Sequence, residues 1–251
     1  MEIEIPLYGE PCTLAVTIWC DSPKAIRLIV EDAENEETMF TDRTGTVSGS
    51  KTYYVRMPMC PDIANVIVLA ENGVESGFEI DDVQIEELPT DYSHKYFDND
   101  EAQSFIEFAE EFCFNASRLE AKGTSYFSDD EVFQITYLDQ IKEDGQVVPT
   151  PARISQTDGM MEVSKADFLR YTVPMRMAIL LHEFAHFYLN EVMEDEVEAD
   201  HNSLQLYLGM GYPRIDAYNV YLDVFENSPS ELNKDRYEAL NKLFQSNYKG
   251  R

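Results

Sequence analysis

Residues 182 to 186 read His182-Glu183-Phe184-Ala185-His186, and ten residues after His186 the chain reads Glu196-Val197-Glu198-Ala199-Asp200. Two His four apart on a helix share one face, with side chains about 5–6 Å apart, so both imidazoles can reach one metal ion. Glu183 flanks that ion without ligating it. The spacing is that of a zinc site, and the chain spends two of its four His on it. Thr172 is a candidate N-cap and Pro174 suits a first turn; Met175, Ala178, Ile179, Leu181, Ala185, Phe187, Tyr188 and Leu189 then predict a largely apolar helix to about Asn190. A helix this apolar is buried, so His182, Glu183 and His186 need polar partners inside it. Two core His satisfied by backbone carbonyls would leave Glu183 unexplained; a metal accounts for all three.

The polar run Asn190 to Asp195 predicts a turn, after which Val197, Leu204, Leu206 and Leu208 resume a helical pattern that Gly209 and Gly211 end. In such a helical hairpin centred on Glu191, Glu196 faces His186 and Asp200 faces His182. Glu198 lies about 200° around the axis from Glu196 at 3.6 residues per turn. Glu196 is therefore assigned as third ligand, and Asp200 as acceptor of a ring N–H that fixes a ligand tautomer.

His-Glu-x-x-His followed on the next helix by Glu-x-x-Ala-Asp resembles the gluzincin metallopeptidases, in which two His and a Glu hold zinc. Position by position, the resemblance makes His182, His186 and Glu196 ligands, Glu183 the general base, and Asp200 the acid steadying a ligand His. The metzincin pattern fails, since Leu189 and Val192 stand where it needs Gly and a third His. Gly159-Met160-Met161-Glu162-Val163 is similar to the edge strand that pairs with substrate in gluzincins. Ser228-Pro229 and then Arg236-Tyr237-Glu238-Ala239-Leu240 is similar to the His-Pro…Arg segment of some members, with Ser228 in place of the His.

Three protein ligands leave zinc one open position, the arrangement of a catalytic site, and the reaction expected is peptide-bond hydrolysis with Glu183 taking a proton from water. His201, Tyr207, Tyr212 and Arg236 are candidate oxyanion stabilisers, each with an ordinary structural use as well.

The elements that must position these residues form the second of two expected parts. Between Ile3 and Leu88, stretches rich in Val, Ile, Thr and Tyr recur between turn signals: Leu14 to Trp19, Ala25 to Val30, Thr52 to Met57, Asn65 to Leu69 and Val83 to Leu88. They predict a β-sandwich over residues 1–89, a module for interaction. Pro89-Thr90-Asp91-Tyr92-Ser93-His94 has loop composition, and residues 90–251 are expected as a mainly helical zincin-like domain with a small sheet, α+β overall. In it Phe105, Phe108, Ala109, Phe112 and Ala116 mark an amphipathic helix against a strand from Val132 to Leu138.

Composition narrows the partners. Nineteen basic residues against 48 acidic give a net charge of −29, which repels phosphate backbones and anionic lipid; nucleic acid and membrane surfaces are not expected partners. The run Glu31-Asp32-Ala33-Glu34-Asn35-Glu36-Glu37 reads as a solvated loop, and Asp98-Asn99-Asp100-Glu101 as a helix cap in preference to a calcium loop. No apolar run reaches membrane-spanning length, and Met1 to Pro6 carries no secretory signature, so a cytoplasmic location is expected. Cys12, Cys20, Cys60 and Cys113 read as core thiols, with one disulfide among the first three left open.

The expected partners are a protein or peptide substrate and other subunits of an assembly. Acidity and high Tyr, Phe, Met and Asn usage resemble virion proteins of tailed phages, the crAss-like group included. That resemblance implies, as an alternative, a portal, tail-ring or cargo protein of a virion whose zinc site is structural or vestigial. A free cytoplasmic peptidase that cleaves a regulator is a third reading, without the DNA-binding companion it would favour.

Overall fold

The structure is a computed structural model that describes residues 1–71, 73, 76–227 and 230–246. The chain is α+β, an antiparallel N-terminal sheet region followed by helices and smaller sheets. It divides into two compact units. The first comprises Met1–Asp91 with the short returns Thr172–Pro174 and Met210–Pro213, and the second comprises Tyr92–Tyr171, Met175–Gly209 and Arg214–Arg251.

The first unit holds β1 (Glu2–Pro6), β2 (Cys12–Asp32), β3 (Asn35–Met57), β4 (Ile63–Ala70) and β5 (Phe78–Glu86), in one hydrogen-bonded sheet. Its backbone is the β2–β3 hairpin, 21 and 23 residues long. Leu14 to Trp19 and Ala25 to Val30 are thus one strand, where the sequence suggests two. Pro23, which cannot donate to a ladder, falls in the register shift between Cys20 and Lys24, so the strand bends without ending. The N-terminal half of β2 pairs with β5 and the C-terminal half with β4, so both ends of the sheet share this hairpin. Alternate residues Leu14, Val16 and Ile18 face the core.

The acidic run 31–37 is not the solvated loop expected. Only Ala33 and Glu34 turn; Asp32 Oδ1 accepts from Glu34 N at 3.0 Å, and Glu31 and Asp32 are buried in the sheet. Asn65 donates to Glu31 at 3.4 Å, a partner from β4 that local composition does not reveal.

In the second unit, Asn99 caps α1 (Asp100–Asn115) by accepting from Glu101 N at 2.9 Å and Ala102 N at 3.4 Å. The Asp98–Glu101 run is therefore a helix start, with acids at the positive end of the helix dipole. Strands β6 (Lys122–Phe127), β7 (Gln134–Leu138), β10 (Ala152–Ile154) and β11 (Met161–Ser164) form a sheet in the order β10-β11-β7-β6, and a small hairpin of β8 (Lys142–Glu143) and β9 (Gln146–Val147) lies outside it. β11 runs parallel to β7 and antiparallel to β10. Helices α2 (Lys165–Phe168), α3 (Val173–Phe184), α4 (Glu196–Gly209), α5 (Arg214–Asn227) and α6 (Glu231–Ser246) complete the elements among the described residues.

Phe105 of α1 stacks on Phe184 of α3 at 4.2 Å, and Phe133 meets both edge-on. This aromatic contact anchors Phe184, which ends α3 between His182 and His186. None of the helices among the described residues is long and apolar enough to cross a membrane.

Candidate metal centre

His182 and Glu183 lie in the last turn of α3, but the following Ala185–Leu189 form a π-helical turn, with Asn190 N donating to Ala185 O at 2.9 Å. The wider turn admits one extra residue before the chain leaves the helix, a device common at functional sites. The turn to α4 is then pinned by side chains. Asp195 Oδ1 accepts from Val197 N and Glu198 N, both at 3.0 Å, and starts α4. Glu198 accepts from Glu191 N at 3.1 Å and Val192 N at 3.3 Å, and Asn190 donates to Asp195 O at 2.9 Å. So held, the turn presents Met193 O to His186 Nδ1 at 2.7 Å.

His182 Nε2 and His186 Nε2 are 3.0 Å apart; Glu196 Oε2 is 3.3 Å from His182 Nε2, and Oε1 is 3.6 Å from His186 Nε2. A tetrahedral ion with bonds of about 2.0–2.1 Å has ligand-to-ligand edges of about 3.3 Å, so the three separations have the size such an ion needs. The tautomers agree with this. Met193 O takes the Nδ1–H of His186, and Asp200 Oδ1 stands 3.0 Å from His182 Nδ1 as an ion-pair contact off the line of a hydrogen bond. In that tautomer both Nε2 lone pairs face each other and a carboxylate, an arrangement that a shared proton or a metal ion satisfies. Among the described residues, His182, His186 and Glu196 are the group whose donors could hold a metal ion.

The charges around the site follow the same logic. Burial alone would depress the His182 imidazolium, yet Asp200 and Glu196 raise it to about 10. Burial pushes Glu196 upward, but His182, His186 and Arg236 together hold it far below the usual carboxylate range. Asp200 is lowered as well, since Arg236 and His182 outweigh its burial. The site therefore favours positive charge between these groups, whether proton or metal. Glu183 differs: burial pushes its carboxyl up, with His182, His186 and the Ile154 backbone amide holding it back.

Arg236 of α6 is the cross-brace. Its Nε and Nη2 reach Asp200 Oδ2 and Oδ1 at 2.7 and 2.8 Å, and Nη1 reaches Glu196 Oε2 at 2.9 Å. Of the four candidate oxyanion stabilisers Arg236 is brought into this cluster, and its guanidinium is committed to carboxylates. His201 is exposed on α4, 3.0 Å from Gln205; Tyr207 is buried in α4; Tyr212 belongs to the first unit. Ser228-Pro229 lies outside the described residues.

The strand expected to form the sheet edge is placed differently. Residues Met161–Ser164 are interior, between β10 and β7, and β10 is the edge. Gly159 closes the connection with φ +72°, and a Cβ there would lie 2.7 Å from Tyr188 Oη. Sequence reasoning also misses Tyr221, a buried ring with its centroid 6.4 Å from that of His182 and its Oη 3.2 Å from Ser203 Oγ. Burial and the Asp200 charge push its hydroxyl pKa up, which keeps it neutral. A further omission is the Met193 carbonyl, since a backbone acceptor leaves no residue-type signal.

No protein-family model matches the chain, and no curated protein matches it. A solved structure titled "CBM4 structure and function" is similar at 16% identity and a TM-score of 0.26, over 34% of this chain and 58% of that one. A likeness that slight carries no argument about fold or function.

Proposed function

We propose that the second unit is a zinc-dependent, gluzincin-like metallopeptidase and that the first unit recruits its substrate or a partner. The observation that supports it most is the pairing of a three-donor group, His182, His186 and Glu196, with an adjacent carboxylate, Glu183, outside that group. Zinc bound there would supply a Lewis acid and a water of lowered pKa. Each residue's part follows from its partners. Met193 O keeps the Nε2 lone pair of His186 available, the Asp200 charge beside His182 Nδ1 favours the same tautomer there, and Arg236 keeps Glu196 and Asp200 ionised and aimed. Glu183, with its pKa raised by burial, is suited to accept and return a proton. The Ile154 amide that acts on Glu183 belongs to β10, the edge strand along which an extended peptide can add as a further strand.

The test is Glu183→Gln, assayed on an unfolded protein substrate with zinc content measured in parallel. Hydrolysis should fall about 10²–10⁴-fold with metal and stability retained, because only the base is removed. Wild type and variant equally inert, with metal bound in both, would refute the peptidase. That result would leave a structural metal in a subunit of a larger assembly such as a virion.

A further inference from the structure

The first unit contains a pair of thiols placed for a reaction that the metal centre does not use. Cys12 opens β2 and Cys60 follows β3, and their Sγ atoms lie 3.5 Å apart with both side chains buried. The pair is held from both sides. Cys12 is in register with Met57 at the end of the β2–β3 ladder, and Cys60 Sγ donates to Met57 O at 3.4 Å. The turn after Cys60 is anchored where Asp62 O accepts from Leu7 N at 2.8 Å and Tyr8 N at 3.0 Å. A disulfide needs the sulfurs closer by only about 1.5 Å. Cys20 is eight residues further along the same strand, about 26 Å away, and Cys113 sits in α1 of the second unit. The geometry therefore singles out one pairing among those that the sequence allows.

We propose that Cys12 and Cys60 are a disulfide-forming site, oxidised by a low-molecular-weight disulfide such as glutathione disulfide. One of the two thiolates attacks a glutathione sulfur and expels a glutathione thiolate; the other then attacks the protein sulfur of the mixed disulfide and expels the second. Two protein thiols lose two protons and two electrons, and one glutathione disulfide becomes two thiols. The cross-link closes a loop over the whole β2–β3 hairpin, the element with which β4 and β5 pair. Oxidation is therefore a staple on the sheet, acting by restricting the unfolded chain.

The test equilibrates the full-length protein with glutathione disulfide, then counts thiols under denaturing conditions and maps peptides by mass spectrometry. Two of the four thiols should disappear, with Cys12 joined to Cys60, and the melting midpoint of the sheet should rise on the order of 10 °C. Cys12→Ala and Cys60→Ala should each abolish the loss, and Cys20→Ala should not. Four free thiols after oxidation, glutathione adducts without the Cys12–Cys60 peptide, or a cross-link that leaves the midpoint unchanged would each overturn the proposal.

Discussion

Arg236→Met removes the cross-brace of the metal centre at nearly constant side-chain volume, so its cost is electrostatic before it is a matter of packing. Asp200 is 2% exposed, and each of its oxygens has a guanidinium nitrogen at 2.7 or 2.8 Å. Without Arg236, Asp200 keeps only the His182 contact at 3.0 Å, and Glu196 loses its 2.9 Å partner. Two carboxylates are then left in a poorly solvated site with only the His182 and His186 imidazoles beside them. Removing one member of a buried pair typically costs about 3–5 kcal/mol, because the surviving charge stays desolvated. At a urea slope of about 2 kcal/mol/M, the unfolding midpoint should fall by roughly 1.5–2.5 M in the presence of chelator. The double variant Arg236→Met/Asp200→Asn should lose less than the sum of the two singles, since the stranded charge goes with its partner. A single-variant loss within about 1 kcal/mol, the scale of exposed pairs, would refute the reasoning.

Glu196→Gln should weaken zinc affinity beyond the 10–100-fold typical of residues that only orient a ligand, whereas Glu198→Gln, which caps the 190–195 turn, should stay within it; equal losses by titration would place the wrong acid on the metal. Zinc at about 100 times its Kd should raise the stability of chelator-stripped protein by about 2.7 kcal/mol, read from urea curves, and should not do so for His186→Ala. Gly159→Ala forces a Cβ to within 2.7 Å of Tyr188 Oη at φ +72°, and should cost about 1–3 kcal/mol in the same assay. No loss there would mean that the 155–160 connection does not need its observed path.

What the sequence discloses about this site depends on how local the determinant is. His182 and His186 are legible because helical periodicity over a few residues puts them on one face, and Glu196 and Asp200 because a short turn reflects one helix onto the next. Arg236 is 36 positions from Asp200, and nothing in its own neighbourhood says that it braces two acids. Glu198 looks like a surface acid of α4 until Glu191 and Val192 are seen donating to it. The π-turn after Phe184 leaves no pattern, because the same apolar residues suit an α-helix. In the first unit the alternating residues mark the strands, but Pro23 reads as a break where tertiary pairing turns it into a bulge. Glu31 and Asp32 read as loop because their partners come from elsewhere in the sheet. The edge strand is misplaced for a similar reason: Met161 to Ser164 has the stronger apolar pattern because it is interior, and three-residue β10 is too short to show one.

Metal analysis of the full-length protein, purified without chelator and resupplied with zinc, tests the central claim most directly. About one zinc per chain is expected, with X-ray absorption showing two imidazole nitrogens and carboxylate oxygen at about 2.0–2.2 Å. His182→Ala should abolish that signal, and Glu183→Gln should preserve it. A folded wild-type protein that retains no metal, or one whose metal survives His182→Ala unchanged, would contradict the account.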